Sequence, residues 1–460
     1  MRKLIKDLEV FDKTALNFES LGKFIYKYDF ENLAYENELP ELSTSTDYSR
    51  KIYCLKPLEC VLLRWPPGVE SAVHFHRGFF GYVVVLSGHG KDVTYKLGNG
   101  KMGENRISHC FKGGIIHEPD GVIHKIENAE NEELITLHFY FPAPGTLEDL
   151  EIFDLENGRI GRLSAKAESA NWTNEAGHFK EIKENAFQFI PAGSAKEKSH
   201  RIVVVKPKPD DNEIQRLIGR YYNEQAEEYD TFDSNHPVRS AYVETVNALI
   251  SGDLRNHHLE TFLELASGTG KRALDIRKMS GLKFDITGVD MSSEMVKMAQ
   301  LENDIQLINS NWLNANLNGI SPFDAATFLY AFGHISSKER RLRSLQKLNR
   351  HLKIGAPFYF DLFNLENKNE WGPFALQAFH RENLEHFGYE KGDVFYRKTC
   401  GKEIAFLHYF TEDEIRFLLN ETGFKIAQLK YISYGHDSGK IMKNPDEGVF
   451  YIKAVKVREV

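Results

Sequence analysis

The stretch Gly68-Val-Glu-Ser-Ala-Val-His-Phe-His76 decides how the first half of this chain is read. His74 and His76 stand two apart among apolar residues. On a strand, that spacing turns both imidazoles to one face. A second stretch, Gly113 to Asn128, carries Pro119-Asp-Gly121 and then His124. Gly121 supplies the backbone freedom that a tight turn needs, so His124 is expected to come from a later strand. Three imidazoles brought to one interior face would hold a metal and leave about half of an octahedral shell open. Imidazole suits iron, zinc, copper and nickel alike, so the ligands alone do not choose the metal.

Outward from these stretches, residues 50 to 165 read as many short strands. Val61–Trp65, Gly81–Leu86, Asp92–Leu97, Ile107–Phe111 and Leu134–Phe141 are rich in β-branched and aromatic residues, with turn residues between them. The pattern predicts an antiparallel barrel or sandwich. Residues 1–40 read as helical, with an apolar stripe through Leu4, Leu8, Phe11 and Leu16. The stretch 166–205 is expected to be irregular apart from a strand at Arg201–Val205. Lys206-Pro-Lys-Pro-Asp-Asp-Asn212 then reads as a stiff, solvated linker.

Beyond it the rhythm changes. A helix is predicted at Glu213–Tyr229, then strand Thr261–Leu265, a helix, strand Asp285–Val289 and helix Ser293–Leu301. Strand Ala325–Leu329, helix Ser337–Leu352 and strand Pro357–Leu362 follow. A helix at Glu412–Thr422 and strands Lys425–Ile432 and Val449–Val457 close the chain. Strands alternating with helices predict a parallel, doubly wound sheet. The chain is therefore expected to be multidomain. An all-β domain with N-terminal helices spans 1–205, a linker 206–212, and an α/β Rossmann-like domain 213–460.

Composition narrows the function classes. The net charge of −8 and the lack of a long basic run argue against a nucleic-acid partner. No apolar run is long enough to span a bilayer, so no membrane partner is expected. Cys54, Cys60, Cys110 and Cys400 show neither metal-type nor secreted spacing, and the charged start MRKLIKDLEVFDK lacks the apolar core of a signal peptide. A cytoplasmic enzyme is the expectation.

The glycine, histidine and proline spacings of the two opening stretches, with Gly88 beyond the first, resemble the two halves of the cupin pattern. That resemblance implies a cupin barrel with His74, His76 and His124 as metal ligands. In many cupins a glutamate lies five residues after the second histidine; here that position is Gly81, which implies a centre of three neutral imidazoles without a carboxylate. Thr136-Leu-His-Phe-Tyr140, Tyr48-Ser-Arg50 and Lys125-Ile-Glu-Asn128 add a similarity to cysteine dioxygenases and related thiol dioxygenases over roughly residues 45–165. The resemblance implies Fe(II), dioxygen and a small thiol or amino-acid substrate. Arg50 would grip the substrate carboxylate, Tyr140 would hydrogen-bond the bound oxygen or substrate, and His138 would hold the tyrosine hydroxyl. The tyrosine–cysteine thioether found in some members is impossible at Gly81.

In the second half, Phe262-Leu-Glu-Leu-Ala-Ser-Gly-Thr-Gly270 ends a strand and opens a helix. Small residues there let the backbone approach a ligand closely. Asp290 closes the next strand, twenty positions beyond Gly270, where an acid can accept hydrogen bonds from ribose hydroxyls. The pattern resembles class I S-adenosylmethionine methyltransferases. It implies S-adenosyl-L-methionine held by Glu264, Ala266, Gly268, Gly270 and Asp290, with Asn311 and Trp312 near the adenine. The segment Ile218–Asp230 would close over the cofactor through Tyr221 and Tyr229. His334, Asp361 and Asn364 are candidates for the methyl-acceptor pocket. A nicotinamide-binding Rossmann domain is the competing reading of the glycine loop. Together the two halves predict a bifunctional enzyme that oxygenates a thiol and methylates a small metabolite. The alternative is a methyltransferase whose metal-binding cupin serves as a sensor or substrate-binding module.

Overall fold

The structure, a computed structural model, describes residues 1–460 apart from 12, 14–15, 43–46, 168, 174, 191–199, 236, 301–304, 321, 399–402 and 435–437. Leu301, the expected end of a helix, and Cys400 lie outside the described residues. The chain divides into two compact units: Met1–Pro209 with two short later segments, and most of the remainder from Asp210 to Val460.

The first unit begins with helices Arg2–Val10 and Phe18–Lys27. Leu4, Leu8 and Leu16 of the apolar stripe are buried. Asn17 caps the second helix reciprocally with Ser20. Strands follow in two sheets. One runs, in order, Ser49–Leu55, Leu58–Trp65, Leu134–Phe141, Phe80–Ser87 and Ile115–Glu118. The other contains Glu151–Asp154, Val73–Phe75, Ile123–Asn128, His89–Gly98 and Lys101–Phe111 as neighbours. Val61, Trp65, Val83 and Ile116 of the first sheet pack with Cys110 and Ile126 of the second. Of the two architectures expected, this is the sandwich arrangement: each sheet is open. The strand expected at Arg201–Val205 covers His200–Lys206, and short strands Phe179–Lys183 and Gln188–Ile190 occupy ground read as irregular.

The linker is shorter than its composition suggests. Lys206 is the last strand residue, is buried, and donates through Nζ to the Ile115 carbonyl at 2.8 Å. The next helix begins at Asp211, where a solvated coil through Asn212 was expected. Satisfying one ammonium donor on a carbonyl lets the long stem pack inside.

The second unit is an eight-stranded sheet in the order Gln306–Asn309, Asp285–Asp290, Thr261–Leu265, Ala325–Phe328, Pro357–Leu362, Val449–Lys456, Phe424–Ile432 and Ile441–Met442. The first five strands are parallel. The last three join by antiparallel pairings: Phe424–Ile432 runs with the first five, while Val449–Lys456 and Ile441–Met442 run against them, a departure from the all-parallel expectation. After Pro357–Leu362 one more helix, Glu412–Glu421, leads into Phe424–Ile432, and Val449–Lys456 then returns between these two strands, forming a hairpin with Phe424–Ile432. Helices Pro237–Leu254 and Lys271–Ser280 bury Val246, Ile250 and Ile276 on one face. Helices Lys338–His351 and Glu412–Glu421 bury Leu345, Leu348, Ile415 and Leu418 on the other. The strand pair Asp393–Lys398 and Ile404–His408 lies outside the predicted pattern.

A buried ion network ties that pair to the helices. His408 bridges Asp393 Oδ1 (2.6 Å) and Glu414 Oε2 (3.0 Å), and fully buried Arg341 pairs with Glu390 and Glu414. Burial and Arg341 oppose charging of His408, but the two carboxylates prevail and raise its pKa. A raised folded pKa contributes stability that is complete below the unfolded value near ~6.5 and is lost as pH rises through the folded one. The unfolding midpoint of the wild type, measured against His408→Gln, is therefore expected to lose its advantage between about pH 6 and alkaline pH. An advantage independent of pH would contradict this.

Candidate functional site

His74 lies directly across the ladder from His124, and His76 stands one residue beyond the end of strand Val73–Phe75. The period of two points His74 and His76 to the same side, as expected. The Nε2 atoms of His74 and His76 are 3.1 Å apart, and those of His124 and His76 are 3.2 Å apart. The outer nitrogens of two rings are anchored: His74 Nδ1 by the Ala72 carbonyl (2.9 Å) and His124 Nδ1 by Asp92 Oδ1 (2.8 Å). Asp92 in turn meets Arg106 at 3.3 Å. Outer-nitrogen anchoring of this kind fixes ring orientation in metal sites.

The donor set fits a cation. Metal–nitrogen bonds of about 2.1 Å at right angles separate the nitrogens by about 3 Å, close to the observed spacing. Without a cation, the Nε2 lone pairs of His74 and His124 would compete for a single donor, His76 Nε2. Burial, and next the neighbouring His124, lowers the His74 pKa to about 3, and burial holds His76 well below the usual range, so both lone pairs are available at neutral pH. Burial also disfavours charging His124, but the Glu118 and Asp92 carboxylates pull its pKa up. A metal ion would meet that demand for positive charge. The ligand atoms of Glu390, Asp393 and His408 likewise lie within 4.8 Å of one another. There both ring nitrogens of the histidine are already bound to carboxylates, which suits an ion network rather than a ligand set.

Beside the triad runs a chain of hydrogen bonds. Trp65 Nε1–H donates to Thr136 Oγ1 (2.8 Å), Thr136 Oγ1 meets His138 Nε2 (2.9 Å), and His138 Nδ1 meets the Tyr140 hydroxyl (2.7 Å). Indole nitrogen only donates, so fully buried Thr136 passes its own proton to His138. That choice puts the imidazole proton on Nδ1, facing Tyr140, whose hydroxyl neighbours Glu118. Thr136 and Trp65 were not singled out by sequence as site residues; their alternation with His138 and Tyr140 on paired strands is the signal that could have found them.

A carboxylate that the sequence reading did not expect, Glu118, stands beside the three imidazoles. Its Oε1 lies 3.4 Å from His124 Nε2, and it is 1% exposed. Burial pushes its pKa up to about 7. Glu118 is the cross-strand partner of Gly81. A Cβ at position 81 would come within 2.9 Å of Glu118 Oε2 and 2.7 Å of the Tyr140 ring. The space left by the missing side chain is thus taken by a carboxylate from the next strand. Arg50 lies on strand Ser49–Leu55 and joins His74, His76, Glu118, His138 and Tyr140 around one cavity of about 900 Å³.

In the second unit, the loop after Thr261–Leu265 bends through Ala266 and Gly268 at φ 51° and 55°. Left-handed φ at a non-glycine residue is strained and concentrates at functional loops. Asp290 braces this loop: Oδ2 accepts from Gly268 N–H (2.8 Å) and Oδ1 from Ser292 N–H (2.8 Å). A cleft of about 110 Å³ gathers Ala266, Gly268, Asp290, Asn311, Trp312, Tyr229 and His334 of the expected residues. It adds Gln215, Tyr222, Met291 and Ser310, which the sequence reading missed. Tyr222, rather than Tyr221, faces the cleft; Tyr221 is buried against Tyr222 and Tyr396. Gln215, Ile218, Tyr222 and Tyr229 share one helical face by their spacing, which is the signal for it.

Glu264 and Gly270 do not line the cleft. Glu264 is buried with Oε2 unpartnered, its pKa pushed up to about 8 by burial against the pull of Arg272. Gly270 caps helix Lys271–Ser280 at φ 76°. Arg272, also missed by sequence, stacks over Tyr330 and has both Nη atoms buried without partners. His334 meets the Tyr222 hydroxyl through Nε2 (2.7 Å) and the Phe406 carbonyl through Nδ1, and burial lowers its pKa. Asp361 opens on a smaller neighbouring cleft, accepting from Tyr330 N–H (2.6 Å) and Tyr242 O–H (3.1 Å). Asn364 is away from both clefts: its amide donates to the Pro445 and Gly448 carbonyls, bracing a loop.

Comparison with known proteins bears on this second unit. A family profile described as a methyltransferase domain matches residues 262–355, the segment holding the glycine loop, Asp290 and His334. A 2-phytyl-1,4-naphtoquinone methyltransferase of Nostoc sp. is 30% identical over 134 residues, 28% of this chain and 50% of the relative. The chain thus spans about half the length of that curated relative. Among solved structures, a methyltransferase from Methanosarcina mazei is 22% identical, with 44% of this chain and 95% of that one covered and a TM-score of 0.35. Another from Clostridium acetobutylicum is 17% identical, with 52% and 99% covered and a TM-score of 0.37. On the profile match, residues 262–355 carry a methyltransferase domain.

Proposed function

We propose that the chain is a bifunctional cytoplasmic enzyme. Its second unit methylates a small metabolite with S-adenosyl-L-methionine, and its first unit, a cupin-like thiol dioxygenase, oxygenates the sulfur of a small thiol carboxylate with Fe(II) and dioxygen. The substrates are small molecules; neither nucleic acid nor membrane is a partner. Among the described residues no helix is long and apolar enough to cross a membrane.

The observation that carries the oxygenase half is the convergence of three Nε2 atoms next to the Thr136–His138–Tyr140 chain. A bound Fe(II) would lower the pKa of a thiol and bring its sulfur beside dioxygen. Arg50 would hold the substrate carboxylate in a two-point fork. The Tyr140 hydroxyl, oriented by His138, would donate to the reacting oxygen. Both oxygen atoms end on sulfur as a sulfinate, so the reaction needs no outside reductant.

In the methyltransferase half, the cofactor supplies an electrophilic methyl group. Unpartnered Glu264 Oε2 and the Arg272 Nη atoms match the ammonium and carboxylate of its amino-acid end. Asp290 would take the ribose, and Asn311 and Trp312 the adenine. His334, kept neutral by burial, would take up the proton of the methyl acceptor by way of the Tyr222 hydroxyl at its Nε2.

The test supplies Fe(II) and a panel of thiol carboxylates without oxygen, then admits air. We expect oxygen uptake and a product 32 mass units heavier, about two oxygen atoms added per sulfur. Tight iron binding with no uptake for any thiol would overturn the oxygenase and favour a sensor role for the first unit.

A further inference from the structure

We propose that Glu118 is a fourth protein ligand of the N-terminal metal centre, delivered from the strand opposite Gly81. The inference rests on the metal reading of His74, His76 and His124 and deepens it.

Four observations converge. Glu118 Oε1 lies 3.4 Å from His124 Nε2, the atom that faces the other two imidazoles. Its Oε2 is buried and has no hydrogen-bond partner among the described residues. A buried carboxylate oxygen without a donor is costly, and coordination to a cation removes that cost. The register Gly81↔Glu118 puts the acid across from a position where a side chain would obstruct it. Finally, no lysine or arginine is hydrogen-bonded or ion-paired to this carboxyl among the described residues; its neighbours are His124 and Tyr140.

Oxygen ligands suit divalent first-row cations alongside imidazole. Three imidazoles and one carboxylate fill four of about six positions in an octahedral shell. The site charge falls by one unit, and two positions remain in place of three. A substrate would then reach the metal through a single atom, and its other functional groups would be held by the walls of the cavity.

The experiment uses the full-length chain stripped of metal and titrated with Co(II), a visible-absorbing probe. X-ray absorption on the wild-type Co(II) form is expected to show a carboxylate oxygen beside three imidazole nitrogens. Glu118→Gln, which keeps size and burial, is expected to alter the visible spectrum and to weaken Co(II) binding by about 10–100-fold or more. A wild-type ligand set of three imidazoles and solvent, or a Glu118→Gln protein with wild-type spectrum and affinity, would overturn the proposal and leave the histidine site intact. Should wild type and His74→Ala bind Co(II) equally weakly, the histidine reading fails too. The wild-type spectroscopy decides the matter even where Glu118→Gln does not fold.

Discussion

Replacing His124 with alanine is expected to strip the N-terminal centre of its metal and abolish oxygen uptake. His124 is the ring on which the site's electrostatics turn. Its Nε2 faces His76 and Glu118, and its Nδ1 is held by Asp92, which Arg106 steadies. Losing a residue that merely supports a ligand costs about 10–100-fold in metal affinity, so losing the ligand itself should cost more. Alanine also leaves the Glu118 and Asp92 carboxylates buried near a void with no positive charge between them, which disfavours the folded unit. Iron content after desalting and Co(II) titration read the first effect, and thermal unfolding reads the second. Asp92→Asn should weaken metal binding less, because the ligand survives and only its anchor changes. Iron retained at wild-type level in His124→Ala would remove the basis for the oxygenase.

The parts of this centre that could be read from sequence are those set by local geometry. His74 and His76 share a face because side chains on a strand alternate, and His138 and Tyr140 do so for the same reason. Glu118 could not be read this way. Its arrival depends on the register between Phe80–Ser87 and Ile115–Glu118, a long-range pairing. Looking only at position 81 gave a centre without a carboxylate, and left unseen the acid that stands beside the imidazoles on the opposite strand. Tyr222 illustrates a different loss. Neighbouring tyrosines on a helix differ by about 100° in direction, and only the stripe through Gln215, Ile218 and Tyr229 tells which one faces the cleft. Asn364 was misread because a polar residue after a strand can brace a loop as readily as it can line a pocket; two carbonyl partners decide for the brace. The parallel strands were legible because hydrophobic runs alternate with helical stripes. The antiparallel return of Val449–Lys456 was not, since strand direction leaves no trace in such a run.

Asp290→Asn is expected to weaken binding of S-adenosylhomocysteine by about 10–100-fold or more and to slow methyl transfer accordingly. Each carboxylate oxygen of Asp290 already accepts one backbone N–H, from Gly268 at Oδ2 and Ser292 at Oδ1. Asparagine must turn its NH₂ toward one of those donors, so a hydrogen bond becomes a donor–donor clash. One consequence is that the glycine loop loses the brace that holds Ala266 and Gly268 in their left-handed turn. The other is that ribose hydroxyls lose a charged acceptor, and hydrogen bonds to charged groups are the stronger ones. Both act on cofactor affinity rather than on the acceptor pocket around His334. Calorimetry with S-adenosylhomocysteine reads the affinity, and the KM for S-adenosylmethionine should rise with it. Metal content of the first unit is expected to stay at the wild-type level, which separates the local effect from general misfolding. Wild-type affinity in Asp290→Asn would mean that the acid braces nothing the cofactor uses, and the ribose assignment would have to move elsewhere along the cleft.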